Sequence, residues 1–297
     1  MDKVSGTIEV AVDHLAKVAE ESLRAIGVPD ADIGIVRDVL LYAELRGNNQ
    51  GLVKIPARGV VPRDDAGPIE VARNVPCAAL INANGNSGMA AMALAADEAA
   101  LLAESHGVGI VGVNNLSTST GAIGFYADRI ARSGHIGIVF AGSVKAVAVA
   151  GSVDPVLGTN PVAIGIPASG GPVVLDMATA AMAWYGLVQA DQRGQTIPDG
   201  VAFDADGAPT NDPVAAMAGA IKAFAGNKGS GLALMVEILT GPLIGAALAG
   251  EDDVARNFGD LVIALSPAAL GPPDTFRARV DRLLHKVKSG RRADGVD

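Results

Sequence analysis

The chain has 297 residues, 49% of them hydrophobic and 19% charged. That balance excludes an intrinsically disordered protein and gives material for one large or two to three small domains. A net charge of -9 without a basic stripe argues against nucleic acid as a partner, and with 3% aromatics the core must be built from Ala, Val, Leu and Ile.

In chain order, apolar residues at Leu15, Val18, Leu23 and Ile26 have helical spacing, so a helix is expected from Ile8 to Ile26, ended by Gly27. Asp30 to Leu45 predicts a second helix with Ile33, Val36, Val39 and Leu40 inward, broken by Arg46-Gly-Asn-Asn-Gln-Gly51. The single cysteine, Cys77, opens an apolar run and reads as an unpaired structural thiol, which fits a reducing, cytoplasmic setting. Ala78 to Ile81 is expected as a strand, then an alanine-rich helix to about Glu104. A strand at Gly109 to Val113, a helix at Gly121 to Ser133 and a strand at Ile136 to Ala141 follow. Val162 to Ile166 and Val173 to Asp176 are further strands, and Ala180 to Ala190 a helix. A proline- and aspartate-rich connection, Ile197 to Pro213, leads to helices at Val214 to Phe224 and Gly231 to Ala249. A strand at Leu261 to Leu265 and a helix at Asp274 to Lys288 complete a mixed α/β pattern without internal repeats. Met1-Asp-Lys-Val-Ser-Gly6 has no apolar core of a signal peptide, and Glu237, Thr240, Gly241 and Pro242 interrupt the longest apolar region. No membrane span is therefore expected.

Gly107-Val-Gly-Ile-Val-Gly112 matches a dinucleotide fingerprint in spelling but runs from a helix into a strand. The fingerprint requires the reverse order, so the segment reads as a helix C-cap. Four other segments carry candidate chemistry. Gly226-Asn-Lys228-Gly-Ser-Gly231 opens a helix whose free amides, with the Lys228 charge, suit a phosphate or carboxylate; a solvated lysine is the alternative. Asp176 ends an apolar strand, as an N-cap of the next helix or as a partly desolvated site carboxylate. Lys54 leaves a polar, glycine-marked loop and could hold a substrate carboxylate, or simply be a solvated loop lysine. Asn114-Asn-Leu-Ser-Thr-Ser-Thr-Gly121 offers hydroxyls to a ligand or to a helix cap. His14, His106, His135 and His285 lie away from these segments, and no Cys/His cluster suggests a metal site.

Read together, Ala43-Glu-Leu-Arg-Gly47, Val111-Gly-Val-Asn-Asn115, Gly124-Phe-Tyr-Ala127, Val156-Leu-Gly-Thr-Asn-Pro161, Leu175-Asp-Met-Ala-Thr179, Ile197-Pro-Asp-Gly200 and Lys228-Gly-Ser-Gly-Leu-Ala-Leu-Met235 resemble the malate/L-lactate dehydrogenase family. The resemblance implies a non-Rossmann fold with a largely antiparallel sheet and flanking helices, a homodimer, and NADH or NADPH as cofactor. It implies cofactor contacts from Ser119, Thr120, Gly121, Asp176, Met177, Ala178, Thr179 and Lys228. The expected division is an N-terminal segment 1–60 packing with 225–297, and a cofactor and substrate region 61–224.

The departures from the family fall at the chemistry. Gln50 stands where relatives carry a histidine, Lys54 where they carry an arginine, and Ser117-Thr-Ser-Thr-Gly121 replaces a histidine-containing turn. Asn227 replaces another histidine, and the chain ends at Gly295-Val-Asp297 where relatives usually continue toward the adenosine side of the cofactor. Ketone reduction needs a general acid, which Gln and Thr do not supply; an imine nitrogen can be protonated beforehand. Asp176, Lys54, Gln50 and Thr118 are thus the expected catalytic residues, with Asp176 stabilising an iminium and Lys54 holding the carboxylate less rigidly than an arginine. The expected activity is NAD(P)H-dependent reduction of a small 2-imino or 2-oxo acid, cyclic imines slightly favoured. The alternatives are a 2-hydroxyacid dehydrogenase that draws its proton from water or Thr118, and a catalytically silent cofactor-binding or scaffold homologue.

Overall fold

In the computed structural model, residues 8–251 and 257–293 are described. Two helices open the chain, α1 (Val12–Ala25) and α2 (Asp30–Glu44), and the apolar stripe of α2 puts Ile33, Val36, Val39 and Leu40 into the core. There follow β1 (Glu70–Val75), β2 (Ala78–Asn82), α3 (Gly88–His106), β3 (Val108–Leu116), α4 (Gly124–Arg132) and β4 (Ile136–Ala141). The middle of the chain holds β5 (Val147–Ala148), β6 (Val162–Ile166), β7 (Val173–Met177), α5 (Trp184–Arg193), β8 (Ala202–Phe203) and β9 (Pro209–Thr210). The last part holds α6 (Pro213–Ala218), β10 (Ala220–Lys222), α7 (Asn227–Thr240), β11 (Phe258–Leu265) and α8 (Pro273–Lys288).

The main sheet runs β1-β2-β3-β11-β4-β6-β7, antiparallel throughout except between β2 and β3. The late strand β11 is inserted between β3 and β4, so residues about 120–150 positions apart share one ladder. Helices α3 and α4 cover one face, with α1 and α2 beyond them, and α7 packs on the other side of β11 and β4. A second, four-stranded sheet, β5-β10-β8-β9, builds a smaller core around Leu187, Ile197 and Ile221.

Small residues set the spacing of the layers. A Cβ on Gly109 would lie 2.0 Å from the Ala99 carbonyl oxygen of α3, and one on Gly165 would lie 2.2 Å from that of Ala127 in α4. Gly107 has φ 82° and caps α3 before β3 begins, so the fingerprint-like glycines are a helix end.

Three expectations are corrected by the topology. The helix expected from Ala180 begins at Trp184, because Ala180 bridges to Ala223. The helix expected over Val214 to Phe224 stops at Ala218, and Ala220–Lys222 instead pairs with β5 and β8. The apolar run read as a helix to Ala249 ends at Gly241. The proline- and aspartate-rich connection Ile197 to Pro213 carries β8 and β9, which pair as a short hairpin. Among the described residues no helix is long and apolar enough to cross a membrane.

Candidate active site

A cavity of about 330 Å³ opens where the loop after α2, the β3–α4 loop, the segment after β4, the start of α5 and β11 meet. That volume suits a small acid and a ring-sized part of a larger ligand. Six of the residues singled out from the sequence line it: Gln50, Lys54, Thr118, Ser119, Thr120 and Gly121.

Lys54 closes a short 3-10 turn (Leu52–Lys54), which is held by the Leu52 amide donating to Glu44 Oε2 at 3.1 Å. Its side chain is 1% exposed, and its Nζ sits 3.5 Å from the centre of the Tyr185 ring. The ring face gives part of the stabilisation that water would supply, but burial still pushes the ammonium down to about 7. Such a lysine gains from a bound carboxylate, which would restore its charge. Gln50 is fixed at the loop tip, where its amide donates to Asn48 Oδ1 and its side chain to Asn49 Oδ1.

The β3–α4 loop is tied down from several sides. Thr118 Oγ1 accepts from the Gly88 amide at 2.7 Å, which joins the loop to the first turn of α3. The Ser119 amide donates to the Gly59 carbonyl, and Ser119 Oγ accepts from Gly121. The Tyr126 hydroxyl donates to the Thr120 carbonyl at 2.6 Å. Opposite, Ser143 and Thr159 share a hydrogen bond between the two loops that flank the cavity.

The other expected residues lie outside the lining. Asp176 Oδ2 accepts from the Gly124 amide at 2.9 Å, so it caps α4 rather than the helix that follows it in sequence. Burial raises its pKa and the Gly124 amide partly opposes that. Thr179 is fully buried, its amide and hydroxyl both donating to the Thr159 carbonyl, and Met177 and Ala178 continue that strand end. Lys228 is exposed in the first turn of α7. Beside it a second hollow, about 360 Å³, is lined by Ala148–Ser152 and by Phe224, Ala225 and Gly226, the cap of α7.

Sequence reasoning missed Trp184, Tyr185 and Asp260 in the cavity. Asp260, in the central strand β11, is 0% exposed; its Oδ1 accepts from the Gly142 amide at 3.2 Å and its Oδ2 has no partner. Burial raises its pKa to about 7, while the Thr120 side chain and the Gly142 amide draw it part of the way back. The available signal is an acid at the start of the apolar run Phe258–Leu265, one residue before the strand expected at Leu261. None of the four histidines lines the cavity, and among the described residues no group of His, Cys, Asp and Glu is placed to hold a metal.

The family model for malate/L-lactate dehydrogenase matches residues 10–297. The L-sulfolactate dehydrogenase of Methanothermobacter thermautotrophicus is 39% identical over 95% of this chain and 86% of its own length. The NAD(+)-dependent ureidoglycolate dehydrogenase of Escherichia coli K12 is 30% identical over 98% of this chain and 86% of its own. The crystal structure of delta1-piperideine-2-carboxylate reductase from Pseudomonas syringae pathovar tomato superposes with a TM-score of 0.84 at 27% identity, over 97% of this chain and 91% of that one.

Proposed function

This chain belongs to the malate/L-lactate dehydrogenase family, and from that premise we propose that it reduces a small 2-oxo or 2-imino carboxylic acid by hydride transfer in the Lys54 cavity. It is an NAD(P)-dependent oxidoreductase. One observation carries the substrate reading: a lysine that is 1% exposed opens onto a cavity of about 330 Å³, and a carboxylate is the ligand that offsets the cost of its buried charge.

The residues present fit a reduced nicotinamide, whose bound form supplies the hydride. Trp184 and Tyr185 give flat apolar surface in the cavity, and the Ser119, Ser143 and Thr159 hydroxyls give polar partners for a carboxamide. Phosphates of the cofactor suit the Lys228 charge and the α7 amides next to the second hollow. In this reading Lys54 binds and orients the substrate carboxylate, Gln50 and Thr118 border its reacting end, and the aromatic pair keeps water out. Asp176 acts from outside the cavity by setting the start of α4. A homodimer belongs to the same reading: α8 buries none of its residues, and Leu283 is 60% and Val287 71% exposed. So does a reducing, cytoplasmic setting for the unpaired Cys77.

The substrates of the relatives define the panel. 2-Oxo acids, including the sulfonated one that corresponds to sulfolactate, and cyclic imino acids are offered with NADH and with NADPH. Trp184 is the chain's one tryptophan and lines the cavity, so its fluorescence reports occupancy independently of turnover. Quenching by a reduced nicotinamide together with oxidation by at least one substrate class is expected; quenching with silence across the panel would leave the non-catalytic alternative standing.

A further inference from the structure

We propose that Asp260 is the proton reservoir of the site and delivers its proton through the Thr120 hydroxyl to the oxygen of a 2-oxo acid, so that carbonyl reduction here needs no histidine. The inference rests on the reductase reading above and names its substrate class and its acid.

The geometry singles out Asp260. It lines the same cavity as Lys54 and Thr120, yet it is fully buried. Only its Oδ1 is engaged by backbone, through the Gly142 amide, and Oδ2 meets no donor. A buried carboxylate with an unpartnered oxygen is costly; as the neutral acid, the same group keeps a proton ready to give. Thr120 lines the same cavity and its side chain bears on the Asp260 carboxyl, while its main chain is held by Tyr126. A hydroxyl is donor and acceptor at once, which is what a relay position requires.

The charged groups around Asp260 leave that role open. On α3 and α4, which pack over β11 and β4, the acids are already paired: Asp97 with Arg129, Glu98 with Arg73, Glu104 with His135 and Asp128 with Arg132. Its ladder neighbours on β3 and β4 are Val113 and Ala141, and on α7 Glu237 is occupied by Asn160 and the Ala249 amide. Tyr126 is the titratable group on α4 that feels its charge, and burial keeps that phenol protonated. Lys54 faces the same cavity from the loop after α2. Burial places the Asp260 carboxyl near neutrality, where a general acid is most effective.

The step balances as follows. C2 of the 2-oxo acid gains a C–H bond and two electrons from the reduced nicotinamide, and the C2=O π pair moves to oxygen. That oxygen takes the Thr120 hydroxyl proton, Thr120 Oγ1 takes the Asp260 proton, and the Asp260 carboxylate is reprotonated from solvent. In the reverse direction the carboxylate is the terminal base for oxidation of a 2-hydroxy acid.

The test compares the wild-type protein with Asp260→Asn and Thr120→Val. In the ligand-free protein, infrared spectroscopy should show one protonated carboxyl band that disappears as pH rises through about 7 and is missing in Asp260→Asn. Reduction of 2-oxo acids should fall about 100-fold or more in both variants, and at least about tenfold more than reduction of cyclic imines. Trp184 quenching by reduced nicotinamide checks that each variant folds and binds. Should Asp260→Asn fail to fold, Thr120→Val leaves the acid in place and reports the same split. A carboxyl already ionised well below neutrality, or 2-oxo turnover kept within a few-fold in either folded variant, overturns the proposal alone. Silence of the wild-type protein toward every 2-oxo acid overturns the substrate reading as well.

Discussion

Two buried ionisable side chains in one small cavity dominate the physics of single residues here. Lys54 is lowered to about 7 from 10.5, so between those values the unfolded chain holds more protons and stability rises with pH. Asp260 is raised to about 7 from 3.8, so in that lower window the folded chain holds the extra proton and stability falls as pH rises. The two windows meet near neutrality, where their joint contribution to stability is at its minimum. Asp260→Asn should therefore raise the melting temperature more at pH 8 than at pH 4, by several degrees if the gain is on the order of 1–3 kcal/mol. Calorimetry at the two pH values checks the sign. Ligand binding gives the second residue-scale prediction. Only the ammonium form of Lys54 holds a carboxylate, so substrate affinity should weaken up to about tenfold per pH unit above about 7. Lys54→Met should raise KM about 10–100-fold, the worth of a charged hydrogen bond, and flatten that dependence.

At the scale of elements, the site depends on how closely α4 lies on the sheet. Gly165 on β6 and Gly137 on β4 both face α4, and a Cβ on either would come within about 3 Å of α4 atoms. Gly165→Ala should cost on the order of 1–3 kcal/mol by forcing α4 outward. Because the Ser117–Gly121 loop leads into α4, it should lower turnover beyond the stability loss, which denaturant melts and assays on the same sample separate. Asp176 acts on the same element at its first residue. Asp176→Ala should cost about 1 kcal/mol by removing the acceptor at Gly124. A loss of turnover far larger than that destabilisation would give the carboxylate a direct part in the chemistry.

For the whole molecule, the open question of surface is the last helix. An amphipathic helix that buries no residue while exposing Leu283 and Val287 is unusual for a monomer. Sedimentation equilibrium should return a mass about twice the 29.8 kDa of the chain, and Leu283→Glu should shift the population toward monomer. A monomeric wild type at micromolar concentration would remove the dimer from the reading.

Periodicity and local turn chemistry carried much of the fold. The α2 stripe, the alanine-rich α3, the Gly107 cap and the strands β4, β6 and β7 stand within a few residues of where hydrophobic spacing puts them, because those elements bury one face against whatever lies beside them. The family followed from ordered motifs spread over nearly the whole chain, and Lys54 and the Ser/Thr loop were legible as polar residues in glycine-marked loops. The short strands β5, β8, β9 and β10 were not, since two or three residues carry no period and pair only because distant segments meet. Nor was the meeting of Lys54 with Asp260. Both line one cavity because β11 enters the ladder between β3 and β4, which brings an acid from late in the chain to a pocket that a lysine from early in it also lines. Desolvation, which moves both groups toward neutrality, belongs to the packed structure and to neither residue's local sequence.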